Sequence, residues 1–196
     1  MSPLPPSSPD PASEFGIDLN INMSTIDKYL NRSDVAYRDM RLFIDPQSAE
    51  PRLEDALEGF KIVSYPYIAS LPELSFSGDY RGEKLVTLEF GEGGTILSAS
   101  FDYFESRMVL NDLFPKNKPI FLVCGGGGYS MMTKRLLVHL GWDEGKLYNI
   151  GGMRSYRGRR VKELTVHANE IGQPNVYATW RADYATIDFA VLHKPV

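Results

Sequence analysis

Cysteine is almost absent from this chain: Cys124 is the only one among 196 residues. An intrachain disulfide is therefore excluded, and with it a disulfide-stapled secreted scaffold; the usage suits a reducing compartment. Histidine is nearly as scarce. His139 falls in a helical pattern, His167 and His193 in the tail, and none stands at metal-ligand spacing from another, so core or surface roles are the default. No apolar run reaches the roughly eighteen residues that a membrane span needs. Neither sign of charge dominates: a formal net charge of −4 gives no bulk attraction for nucleic acid, and Arg159-Arg160 reads as solvated surface.

What remains is the composition of one soluble globular domain with a sizeable core. Residues 1–22, rich in Pro and Ser, show no amphipathic period and no signal-peptide core, and read as a flexible leader. Within it Ala12-Ser13-Glu14-Phe15 has the look of a cloning remnant, which would make Met23 the natural start or the start of a trimmed sequence. The expected location is cytoplasmic, or exported if a native signal has been removed. A short helical pattern follows, with Ile26 and Leu30 on one face.

From Asp34 the pattern alternates between candidate strands and helices, which predicts an α/β fold. Val35-Ala36-Tyr37-Arg38 and Lys61-Ile62-Val63-Ser64-Tyr65 read as strands. Residues 102–113 read as a helix with Phe104, Met108, Val109 and Leu113 on its apolar face. A strand ending at Cys124, a helix over residues 130–140 stopped by Gly141, and a strand at Leu147-Tyr148-Asn149-Ile150 complete a parallel-sheet unit. Two β-prone runs, 85–90 and 95–100, flank Gly91-Glu92-Gly93-Gly94 and predict a β-hairpin. After Gly152 come further β-prone pieces around Thr165, at Tyr177-Ala178-Thr179-Trp180 and at Ile187-Asp188-Phe189-Ala190-Val191, expected to pack on the domain or on another subunit.

The chemistry concentrates around Cys124. It ends the apolar run Phe121-Leu122-Val123 and precedes Gly125, Gly126, Gly127 and Gly128, with Tyr129 and Ser130 opening the next helix. Backbone amides at a helix start and the positive end of its dipole favour a thiolate, the reactive form of cysteine. Without Cβ atoms, successive glycines reach conformations that let their N–H groups converge on one anion. The plain alternative for Cys124 is a small buried hydrophobe at a strand end, and for the glycines a tight turn without a ligand. Ser130 reads as an N-cap, Tyr129 as a cover for either the loop or the core, and Lys134 and Arg135 as a solvated helix face. Asp39 and Arg41 suggest an ion pair, and Arg154 another surface group unless it folds toward the loop.

Competing motifs fail on single positions. A phosphate-binding P-loop needs lysine and a hydroxyl residue where Tyr129-Ser130 stand, and the dinucleotide fingerprint needs glycine at Ser130. A nucleophile elbow on Ser130 would need glycine at Met132. A cysteine phosphatase would need arginine at Ser130 to grip the phosphoryl group.

The run Pro119-Ile120-Phe121-Leu122-Val123-Cys124-Gly125-Gly126-Gly127-Gly128-Tyr129-Ser130, then Leu136-Leu137, His139-Leu140-Gly141-Trp142 and Leu147-Tyr148-Asn149-Ile150-Gly151-Gly152-Met153, resembles the rhodanese-like domains. Upstream, Asp39-Met40-Arg41 is similar to that family's aspartate-x-arginine step, and Glu58-Gly59-Phe60-Lys61 before Tyr65-Pro66 to its substrate-side turn. Gly125 and Tyr129 stand where the family commonly carries loop arginines, and Ala56 where it carries histidine.

The resemblance implies an α/β rhodanese-like fold over residues 23–155: a central, mainly parallel sheet flanked by helices, with a hairpin inserted near 84–100 and a β-rich C-terminal extension over 156–196. It also implies a sulfurtransferase with Cys124 as the catalytic residue. Residues 125–130 would form the substrate loop, with Asp39, Arg41 and Arg154 in support. The expected partners are a small sulfur donor and an external thiol acceptor, with no nucleic acid, no cofactor and no metal. The C-terminal extension is a candidate contact between identical subunits. A non-catalytic binding or regulatory module of the same fold is the competing expectation.

Overall fold

The computed structural model describes residues 1–41, 52–72, 82–166, 183–185 and 187–196. Its elements in chain order are β1 (Ala36–Asp39), β2 (Arg52–Leu57), β3 (Lys61–Ile62), β4 (Val86–Phe90), β5 (Ile96–Phe101), α1 (Ser106–Leu113), β6 (Ile120–Cys124), α2 (Gly128–His139), β7 (Leu147–Gly152), β8 (Val161–Val166) and β9 (Asp183–Tyr184). The central sheet runs β7-β6-β1-β3-β9 with each described pairing parallel. The protein is thus mixed α/β around a parallel sheet, as the alternating pattern predicts. From β1 the chain moves outward to β3 on one side, and from β6 outward to β7 on the other. The order therefore reverses between β1 and β6, and the loops leaving their C-terminal ends diverge there.

β6 is buried along its whole length, which explains its unbroken apolar run. Alternation along the strand sends Ile120, Leu122 and Cys124 to one face and Phe121 and Val123 to the other. On the first face Leu110 and Leu113 of α1, Met132, Leu136 and Leu137 of α2, and Leu85, Val86 and Leu88 of the hairpin region close a core. The hairpin itself is antiparallel, β4 on β5, as predicted. α1 differs from expectation. It begins at Ser106, its buried residues are Ser106, Leu110 and Leu113, and Phe104 and Met108 are exposed, because the helix starts one turn later than its apolar pattern suggests.

The second face is covered by no α-helix among the described residues. Ile21, Met23, Ile26 and Leu30 from the N-terminal segment pack there on Tyr37, Phe121, Val123, Tyr148 and Ile150, together with Leu57, Phe60 and Tyr156. This corrects the reading of residues 1–22 as a flexible leader. Its anchor is Asp18, 2% exposed, whose carboxylate accepts from the amides of Ser8 at 2.6 Å, Asn20 at 2.9 Å and Ile21 at 2.8 Å. Its own amide donates to the carbonyl of Asn149 on β7 at 2.8 Å. A Pro/Ser-rich sequence hides such a segment because it is held by main-chain bonds and scattered apolar anchors rather than by a periodic face.

β2 and β8 form a separate antiparallel ribbon, Leu57 opposite Val161, which contains the predicted strand around Thr165. The Tyr177–Trp180 piece lies outside the described residues. The predicted strand at 187–191 is instead a single turn of 3-10 helix, Phe189–Val191, started by Asp188 accepting from the Ala190 amide. The C-terminal segment returns to the domain: the Phe104 amide donates to the His193 carbonyl at 2.9 Å, and the ring of Phe189 lies 5.6 Å from that of Tyr103.

Tyr148 ties the N-terminal segment to β7, its hydroxyl donating to the Pro5 carbonyl at 2.6 Å. Burial, with Asp18 and Asp143 adding to it, pushes this hydroxyl up to about 12, against about 10 for a free tyrosine. A folded-state value above the unfolded one makes the contribution of neutral Tyr148 complete below about pH 10 and lost as pH rises toward the folded value. Stability measured by denaturant unfolding should therefore fall across that alkaline window, and Tyr148→Phe should lessen the slope. Tyr103, also raised to about 12, keeps part of it. An unchanged slope in Tyr148→Phe would contradict this assignment.

Candidate functional site

Cys124 ends β6 at the C-terminal edge of the sheet, beside the reversal between β1 and β6. Such crevices are where open parallel sheets place their ligands. β7 runs on the other side, with Cys124 paired to Gly152. The four glycines then turn the chain into α2, whose N-cap is Gly127 at φ +105°, a left-handed conformation that favours glycine. The turn brings the Gly127 amide back onto the thiol, donating to Cys124 Sγ at 3.0 Å. The sulfur sits at the N-terminal end of a twelve-residue helix, where the dipole favours negative charge.

Packing fixes the loop from three sides. At Gly152 a Cβ would lie 2.2 Å from the Gly125 carbonyl oxygen and 2.4 Å from the Gly126 nitrogen, so the two backbones touch with no space for a side chain. The amide of Arg154 also donates to that carbonyl, at 3.1 Å. Behind the loop, Phe15 and Ile17 of the N-terminal segment press against Gly127. Asn149, buried in β7, joins the two by donating to the carbonyls of Phe15 at 2.8 Å and Gly127 at 3.1 Å. Sequence reasoning missed Asn149, although a polar residue inside an otherwise apolar strand was the available signal, since such a group is buried only with partners.

Tyr129, the second residue of α2, stacks on Tyr65, ring centroids 5.6 Å apart. Burial raises its hydroxyl above the usual range, and negative charge at Cys124 adds to the effect. Ser130 is not the N-cap. It is the third residue of α2, fully buried, and its hydroxyl is the one buried side-chain oxygen or nitrogen without a hydrogen-bond partner among the described residues. An orphaned buried hydroxyl costs roughly 1–3 kcal/mol. Gly125 and Gly126 form the outward tip of the loop, Gly126 exposed.

The three supporting candidates divide. Arg154 does fold toward the loop: its guanidinium Nη1 lies 3.7 Å from where a Gly126 side chain would begin. Asp39 is fully buried at the end of β1, opposite Val123 of β6, and is gripped by Arg41 through Nη2 at 2.8 Å and Nε at 3.1 Å. Arg41 also donates to the Asp55 carbonyl at 2.7 Å. The pair therefore braces the neighbouring loop, as the ion-pair reading has it. Ala56 is buried in β2.

Comparison with family models, with curated proteins and with solved structures finds no match. The geometry therefore carries the functional argument by itself. Among the described residues no three His, Cys, Asp or Glu side chains gather to hold a metal ion, and no helix is long and apolar enough to cross a membrane. The arrangement presents one buried thiol, one amide on it, a helix N-terminus behind it, an unpartnered hydroxyl in the first turn and a guanidinium at the loop tip.

Proposed function

We propose that the protein is a rhodanese-like sulfurtransferase that carries sulfane sulfur as a persulfide on Cys124. The observation that supports this most is the Gly127 N–H donating to Cys124 Sγ at 3.0 Å from a glycine loop at a helix start. The same donor that holds the sulfur stabilises negative charge on it. With thiosulfate, the Cys124 thiolate attacks the outer sulfur. An S–S bond forms to the enzyme, the donor S–S bond breaks, and sulfite leaves with its electron pair. An external thiolate or cyanide then attacks the terminal sulfur, and Cys124 departs as the thiolate it began as. No resolving cysteine exists in the chain, so the acceptor comes from outside.

Arg154 at the loop tip supplies the cation for an anionic donor that Gly125 and Tyr129, standing in the loop-arginine positions, do not. Cys124 is 2% exposed, so this reading requires local opening before a donor reaches the sulfur. That burial, with Cys124 packed in the apolar core of the helix face, favours the second reading of a non-catalytic module. Thiocyanate formation from thiosulfate and cyanide separates the two. Wild-type protein should turn over and Cys124→Ser should fall to the uncatalysed rate; equal rates in both would remove the enzyme reading.

A further inference from the structure

Lys134 is expected on the solvated side of α2, yet it is 7% exposed, and burial lowers the pKa of its ammonium. It forms part of the wall of a cavity of about 450 Å³, bounded by α2, the tip of the β4–β5 hairpin and the N-terminal segment. This size lies within the range of small-molecule sites, roughly 300–1,000 Å³. Met131, Lys134, Arg135 and Val138 recur at helical spacing on the α2 side, Ile96 faces them from β5, and Phe15 closes the N-terminal side.

The polar groups of this cavity are unequal in sign. Lys134 Nζ donates to Ser7 Oγ at 2.9 Å, and Glu144 and Asp18 are the acidic groups that act on it. Asp18 is already occupied by three amides, which leaves Glu144 as the carboxylate of the lining. Against it stand Lys134 and Arg135. Arg135 makes no hydrogen bond or ion pair among the described residues; its guanidinium Nη1 reaches toward the hairpin turn, 3.8 Å from where a Gly94 side chain would begin. An exposed cation at the rim of an apolar cavity is free to exchange its water for an anion.

We propose that this cavity binds a small amphipathic anion, a carboxylate or sulfonate on a compact apolar body, with the head group on Arg135 and Lys134 and the body among Met131, Val138, Ile96 and Phe15. The proposal does not rest on the Cys124 chemistry, although Phe15 touches both the cavity and Gly127 of the loop. Occupancy would replace water on the exposed guanidinium with a charge-assisted contact and remove apolar wall from water.

The test is titration of the intact protein with 1-anilinonaphthalene-8-sulfonate followed by fluorescence, with octanoate and octanol as competitors. The expected result is one saturable site from which octanoate displaces the probe at least about fivefold better than octanol, a ratio in line with one charge-assisted hydrogen bond. Arg135→Gln, at an exposed position, should weaken the probe by a similar factor, and Thr95→Trp, which fills the mouth, should abolish binding. The proposal is overturned by no saturable binding, by equal competition from octanol, or by unchanged affinity in both variants. Thiocyanate production by Cys124 would be unaffected by any of these outcomes.

Discussion

Gly152→Ala should unfold or distort the protein more than any other single methyl added at a glycine of the site. The backbone of Gly152 is extended, φ −135°, so conformation is no obstacle to alanine. The obstacle is the main chain of Gly125 and Gly126, with atoms 2.2 to 2.4 Å from the new Cβ. Neither a carbonyl nor an amide there can rotate away as a side chain would, and the Gly125 carbonyl is further held by the Arg154 amide. Overpacking of this kind costs about 3 kcal/mol when the neighbours cannot yield. The loop would have to leave β7, taking the Gly127 amide off the sulfur. Thermal unfolding and thiocyanate formation should both be strongly reduced. Gly59→Ala is the control: it has φ +79° but open space around it, and should cost only about 1 kcal/mol. A Gly152→Ala protein as stable as Gly59→Ala would show that the loop and β7 are not in this contact.

Asp18→Ala should release the N-terminal segment. Three amides lose their acceptor at once, and that of Ile21, which is buried, has no water to take its place. With charged hydrogen bonds worth roughly 1.5–3 kcal/mol each and partial relaxation of the loop, a net loss of about 3 kcal/mol follows. The consequence reaches further than residues 1–22, because Ile21 and Met23 pack with Phe121, Val123, Tyr148 and Ile150 on the face of the sheet that no α-helix covers among the described residues. Limited proteolysis should cut within residues 1–30 of Asp18→Ala while leaving wild type intact there, and hydrogen exchange at Ile21 should lose its protection. Equal cleavage of the two proteins would return the segment to the status of a loose leader.

The parallel sheet was legible because β6 and β7 are nearly continuous apolar runs and α2 repeats its leucines at helical spacing, signals that survive without tertiary information. The hairpin was legible from its glycine turn. The core facing α1 was misread, since Phe104 precedes the helix and Met108 lies on its outward side, and only packing decides which side is inward. The position of Cys124 was readable from its glycines. Its burial, the contact of Phe15 with Gly127 and the bond from Asn149 were not, because each joins residues more than twenty positions apart through irregular backbone. Lys134 was misplaced for the same reason: α2 presents it outward, and the N-terminal segment, invisible as structure in the sequence, then covers it.

The central claim is that Cys124 carries a second sulfur. Intact-mass spectrometry after incubation with thiosulfate, and separately with inorganic polysulfide, tests it most directly. Wild-type protein should gain the mass of one sulfur atom, lose it on addition of cyanide, and gain nothing when Cys124→Ala replaces it. A chain that stays at its unmodified mass with every donor, or a gain that persists in Cys124→Ala, would contradict the account.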